Sequence, residues 1–311
     1  MPAIITHDQF ALRALQLPAA SFVQTGQQRD AFQLGSQGPD PLFYLAVHPT
    51  LHARCKLGGR MHAQEPAALI EAMAASVDAA PEGQRDVALA YAAGFVCHYL
   101  LDRTAHPFIY AQQYAFCDAG VPGLTRANGS EVHATIESEL DELVLYTRTG
   151  LTIASYEPQH EILQLDDAAL GIVSRQVAFA VQRAFGTAVV PTLFATAVRC
   201  FRFVQGVFHS PSGRKREALG RVEELVRPYS FVRAMSHRPL PLAESAFDNH
   251  EHGAWTCPFT GARHTESFED LFGLAQQQAA RWLPQLAAGG LTAEAAHELT
   301  CDLNFSGAPA A

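Results

Sequence analysis

The stretch VALAYAAGFVCHYLLDRTAHPFIY, residues 87–110, constrains this chain more than any other. It is apolar and alanine-rich on nearly every side, which is the pattern of a helix buried inside a protein. Yet it carries His98, Asp102 and His106 at intervals of four. On a 3.6-residue helix such positions drift only slowly around the axis, so all three point to nearly one side, the side flanked by Tyr91, Phe95 and Leu101. Histidines and carboxylates placed inside a protein are costly unless they are paired or bind a metal. The rest of the chain must therefore bring partners to this stripe. Pro107 disfavours helical geometry at His106, so the helix is expected to end there, with a bend that lets His106 leave the row.

Helical periodicity dominates elsewhere too, over 64–79, 85–106, 131–148, 167–188, 191–209, 213–227 and 265–287. Strand-like alternation is nearly absent, and LTIASYEP (151–158) is its best candidate. Glycine- and proline-rich breaks at 35–41, 57–60, 119–129 and 248–264 read as loops inside one domain. There is no internal repeat and no low-complexity linker. The expected architecture is all-α, a single helical metal-binding domain over 1–305, with the final SGAPAA (306–311) as a frayed tail.

Composition narrows the function. Charged residues are 17% of the chain and the formal charge is -9. That balance disfavours nucleic acid as a partner and simple electrostatic capture by anionic membranes. No apolar run is long enough to span a bilayer. The N-terminal MPAIITHDQF lacks a basic region followed by an apolar core, so the expected location is the cytoplasm, or outside the cell if the sequence is a processed form. Six cysteines without CxxC spacing read as reduced thiols and point the same way.

His98 and Asp102 can reach one ion from adjacent turns of a helix, or simply hydrogen-bond to each other. His133 and Glu137, in HATIESELDELV, repeat the same spacing on a second helix. Two such pairs, with His106 between them, favour metal. Asp40 sits between prolines in GSQGPDPLFY, where a turn or cap residue is the ordinary reading. His62 falls in KLGGRMHAQEP just before a helix, and His7 falls in THDQF at the start of the first helix. A further group, Asp248, His250, His252, Cys257 and His264, matches no zinc module; it is read as a loop bordering a cleft, with Trp255 packing or touching substrate. There is no GxSxG nucleophile turn and no phosphate-binding P-loop.

In order, His7, the GSQGPD loop with Asp40, His62, HYLLDRTAHP and HATIE resemble the zinc-dependent phospholipase C family. The resemblance implies an all-helical fold, also shared by P1-type nucleases, with two to three zinc ions in a cleft. It implies one zinc held by His62, His98 and Asp102 and a second held by His106, His133 and Glu137. A third would share Asp102 and add His7, with Asp40 as ligand or base. The secreted members begin with a metal-binding tryptophan; Met-Pro stands here instead, so the third ion is expected to be held more weakly. The spacing from Asp102 to His106 is also shorter than in the toxins, and a C-terminal β-sandwich of their kind is not expected within these residues.

A ligand set of histidine and carboxylate without thiolate suits hydrolytic zinc. The expected activity is phospholipase C-like hydrolysis of a phosphodiester, the substrate being a phospholipid or a headgroup ester derived from one. Asp40 would orient or deprotonate the attacking water and Asp102 would bridge two ions. One alternative is an S1/P1-type nuclease or phosphatase of the same fold. Another is a non-catalytic helical protein that binds metal or lipid and in which zinc is structural.

Overall fold

In the computed structural model, which describes residues 3–225 and 229–310, the apolar run becomes one helix of 33 residues, Arg85–Cys117. The architecture around it is all-α. Four α-helices precede it among the described residues: α1 (Ile4–Ala14), α2 (Gly26–Gly35), α3 (Lys56–Ala63) and α4 (Pro66–Ala79), so the long helix is α5. It is followed by α6 (Gly129–Thr149), α7 (Pro158–Glu161), α8 (Asp167–Phe185), α9 (Leu193–Phe208), α10 (Arg214–Glu223), α11 (Phe231–Met235), α12 (Phe268–Ala287) and α13 (Ala293–Thr300). Strand content among the described residues is a two-residue antiparallel pair, Trp255–Thr256 with Arg263–His264, inside the 248–264 loop, and an isolated bridge between Leu303 and Pro309. Among the described residues no helix is long and apolar enough to cross a membrane.

Helix α5 lies at the centre, packed by α1, α2, α4, α6, α8 and α12. Its alanines let neighbours approach, and the closest approach is at Gly94, where it crosses α2. A Cβ on Gly94 would stand 2.0 Å from the Phe32 carbonyl oxygen, and one on Gly35 would stand 2.2 Å from that of Tyr91. This contact fixes the end of α2, and with it the loop that carries Asp40. Tyr91, Phe95, Tyr99 and Phe108 are buried along α5 and join one continuous apolar cluster that extends to Trp282 of α12 and Phe201 of α9.

Several sequence expectations are corrected. Pro107 does not end the helix, which runs on to Cys117. A proline inside a helix removes one hydrogen bond and crowds the carbonyl four residues earlier. Here the chain end covers that defect. Gly307 lies so close that a Cβ would meet Pro107 Cγ at 2.6 Å and the Arg103 carbonyl oxygen at 2.7 Å. Burial of Phe108 and Ile109 beyond the proline holds the continuation in place. The segment expected as a frayed tail therefore folds back: Gly307 is buried, the Ala308 carbonyl accepts from Asn304 N at 2.8 Å and Ala310 N donates to the Asp302 carbonyl at 2.8 Å.

Residues 57–60, expected as a break, are helical within α3, because Gly58 fits beneath Leu42 and Phe43 where a larger residue would crowd them. LTIASYEP forms turns rather than a strand; its apolar Ile153 and Tyr156 bury without a partner strand. The helix expected over 213–227 ends at Glu223, and positions 226 and 227 lie outside the described residues, as does position 311.

Candidate metal centre

His98 and Asp102 are buried on α5, and His106 is half-buried one turn further. Each step of four residues rotates a side chain by about 40°, so His106 is turned about 80° from His98 without any bend in the helix. That drift, and not the expected break, sends His106 to a different group. It faces α6, where His106 Nε2 lies 3.4 Å and His133 Nε2 3.2 Å from Glu137 Oε1. His98 stays with the first half of the chain.

The GSQGPD loop reaches His98 through Gly38. Its φ is +52°, and a Cβ there would fall 2.2 Å from His98 Cδ2, so the loop closes over the imidazole only because position 38 is glycine. Two residues on, Asp40 Oδ1 stands 3.1 Å from His62 Nε2. Asp102 faces both directions: Oδ1 is 3.1 Å from His7 Nε2, while Oδ2 is 3.1 Å from His98 Nε2 and 3.9 Å from His62 Nε2. The structure thus brings together all eight residues singled out in the sequence. Three compact triads result: His62, His98 and Asp102; His106, His133 and Glu137; and His7, Asp40 and His98. In the last, His98 stands where the resemblance implies Asp102, although Asp102 is also in contact with His7.

The ring nitrogens test whether a metal fits. His98 Nδ1 is 3.0 Å from the Ser36 carbonyl, His62 Nδ1 2.7 Å from that of Gly58 and His106 Nδ1 2.8 Å from that of Phe305. His133 Nδ1 is 2.9 Å from Gln113 Oε1. These oxygens can only accept, so each Nδ1 carries the proton and donates it. Each Nε2 then points at a buried carboxylate. Without a cation between them the lone pairs oppose each other, or every ring must carry a second proton. His98 Nε2 and His7 Nδ1 are buried without any hydrogen-bond partner, and the close approach of His98 to Asp102 is not aligned as a hydrogen bond. Imidazoles oriented through Nδ1 by carbonyl acceptors, with Nε2 atoms converging beside carboxylates, are what a bound zinc ion requires. The residues fit the metal.

The metal-free charges agree. Burial pushes Asp102 up, but His98 and His106, with His7, outweigh it and hold its carboxyl well below the ordinary range. Asp40 is likewise held low against burial, by its hydrogen bond to His62 and by the nearby His98. Burial pulls His106 down, yet Asp102 and Glu137 raise it to about 9.

All of these side chains except the fully buried His98 line a cleft of about 390 Å³, together with Phe43, Tyr110, Phe231 and Met235. Asp40 is among them and can meet a ligand. The second group of sequence candidates does not assemble: His250 pairs with Asp248 at 2.7 Å and His252 with Asp270 at 3.2 Å. His264 stacks on Trp255, which packs against Phe108. Their loop borders the cleft through Phe259, whose ring contacts Tyr110.

The sequence reading missed Asp141 and His237. Asp141 is fully buried on α6 and accepts hydrogen bonds from Thr6 N at 2.7 Å, Ile5 N at 3.2 Å and His237 Nε2 at 2.8 Å. It caps α1 from another helix and so sets His7 in place. The available signal was its spacing, since Asp141 continues the His133–Glu137 row by four more residues. Phe305 was missed as well; its carbonyl orients His106 and its N–H donates to the His62 carbonyl at 3.1 Å.

Residues 5–177, more than half of the chain and all eight of these side chains, match the sequence profile of the family described as zinc dependent phospholipase C. No curated protein and no solved structure gives a match.

Proposed function

The chain belongs to the zinc-dependent phospholipase C family, and from that premise we propose that it hydrolyses a phosphodiester, a phospholipid or a headgroup ester derived from one, with two to three zinc ions held by seven of the eight residues above and Asp40 beside them. The observation that carries the reading is the convergence of tautomer-fixed Nε2 atoms and buried carboxylates along a largely apolar cleft. His62, His98 and Asp102 would hold one ion and His106, His133 and Glu137 a second, with His7 the further ligand on the α1 side. When bound, zinc supplies Lewis acidity that activates water and offsets charge on phosphoryl oxygens.

The chain's own residues supply the rest. Asp40 stays ionised beside His62 and faces the cleft, so its free oxygen can orient the attacking water and accept its proton. Asp102, with one oxygen turned to His7 and the other to His98, would serve as a ligand shared between ions. The Tyr110 phenol, protonated at neutral pH and pushed further up by burial, lines the cleft and can donate a hydrogen bond to a phosphoryl oxygen there. Phe43, Phe231 and Met235 offer apolar surface to the glyceride side of a lipid.

A substrate panel tests this. Short-chain phosphatidylcholine should be cleaved to diacylglycerol and a phosphorylated headgroup, faster than bis(p-nitrophenyl) phosphate or single-stranded DNA. Preferential cleavage of DNA would move the assignment to the nuclease alternative. Zinc-loaded protein that cleaves none of them would favour a structural role for the metal.

A further inference from the structure

Helix α10, RKREALGRVE, packs the wrong way round for a surface helix. Its inward side is polar. Arg216 Nε donates to the Ser236 carbonyl at 2.9 Å and Arg216 also pairs with Glu217 at 2.6 Å. Arg233 of α11 pairs with Glu217 at 3.2 Å and with Glu224, and Glu223 accepts from Ser230 Oγ and Val232 N. The acidic residues are thus engaged on the protein side. The outward side carries Leu219 and Val222, 39% and 65% exposed three residues apart, and Leu225, 83% exposed, follows in the turn just past the helix end. Arg214, Lys215 and Arg221 are exposed beside them.

The stripe extends onto α9. Lys215 Nζ reaches the Gly206 carbonyl at 3.2 Å, and around Gly206 stand Phe203, 66% exposed, and Val207. The other end leads toward the cleft, because α10 packs on α11, whose Phe231 and Met235 line it. Exposed apolar side chains flanked by cations are the pattern of a helix lying in a lipid interface.

We propose that the outer face of α9 and α10 docks on an anionic phospholipid surface, with Phe203, Val207, Leu219, Val222 and Leu225 entering the interface and Arg214, Lys215 and Arg221 meeting lipid phosphates. The formal charge of -9 argues against capture of the molecule as a whole, and the exposed Arg214, Lys215 and Arg221 make this face a local exception. A second copy is a poorer occupant, because a two-fold contact would set these cations against themselves. The inference goes beyond the catalytic reading, since binding is measured without turnover.

Flotation of the zinc-loaded protein with phosphatidylcholine–phosphatidylglycerol vesicles in the cold tests it. Wild type should float with the mixed vesicles, more weakly with pure phosphatidylcholine, and less in high salt. Leu219→Asp/Val222→Asp should lower partitioning at least tenfold, and Arg214→Glu/Arg221→Glu by about fivefold or more per charge. Both variants should hydrolyse a soluble phosphodiester like wild type; if the apolar variant fails to fold, the charge variant carries the test. Absence of flotation by wild type, or equal flotation by a folded variant, would overturn the proposal. So would a wild-type dimer that either variant dissociates, which would assign the face to a second copy.

Discussion

Gly38→Ala is the sharpest perturbation of the candidate site that leaves every ligand in place. The new methyl would fall 2.2 Å from His98 Cδ2, and its residue would have to hold φ near +52°. The left-handed backbone alone costs about 1 kcal/mol for alanine. His98 is fully buried, so the imidazole can escape only by giving up its hydrogen bond to the Ser36 carbonyl, a further cost of roughly 1–3 kcal/mol. The expected loss is therefore about 2–4 kcal/mol in urea unfolding of the metal-free protein. Because His98 belongs to two of the three triads, zinc affinity should also fall, by about 10–100-fold if the disturbance resembles loss of an orienting partner. Gly186→Ala is the control, since Gly186 has φ +64° but nothing within 4 Å of its Cβ position. It should lose only the backbone cost and bind zinc normally in a competition titration with a chromophoric chelator. Equal behaviour of the two variants would refute the argument that position 38 is glycine in order to seat His98.

Other consequences are open to measurement. Asp102→Asn should lower zinc content by at least one ion as measured by mass spectrometry, whereas Asp40→Asn should retain zinc and reduce kcat by about 100-fold or more; full metal and full activity in both would remove these roles. Asp141→Asn should destabilise the protein by roughly 2–4 kcal/mol in urea unfolding, because it weakens charged acceptors for α1's free N–H groups and for His237. Its zinc loss should be confined to the His7 side, and an unchanged unfolding midpoint would contradict the capping role. His106 has its pKa raised from 6.5 to about 9, so its charge stabilises the metal-free fold fully below pH 6.5 and that contribution is lost as pH rises through 9. The metal-free protein should lose about 3 kcal/mol across this window and His106→Gln should flatten the slope; a flat wild-type profile would contradict it.

Much of the site was legible because its chemistry conflicts with its surroundings. An apolar helix has no ordinary reason to carry His98 and Asp102 on one face, and His133–Glu137 repeats the anomaly on α6. The helical class followed from periodicity in the same way. What stayed hidden depends on contacts between distant parts of the chain. Pro107 reads as a helix end until Gly307, 200 positions later, is seen to cover it. Asp141 looks like one acidic residue among several on α6, and its role exists only because the first turn of α1 lies against it. The reversed polarity of α10 is likewise invisible in its own sequence, since it depends on Arg233 and Ser236 offering polar partners on the inner side.

The central claim is that the converging imidazoles and carboxylates hold zinc and that this zinc is needed to cleave a phosphodiester. Stepwise return of zinc to chelator-stripped protein, with hydrolysis of soluble short-chain phosphatidylcholine followed at each step, tests it most directly. Activity should be absent in the stripped protein and should reach its maximum only after two to three equivalents of zinc, the number the three triads can hold. Hydrolysis that survives stripping, or that saturates without tightly bound zinc, would contradict the account.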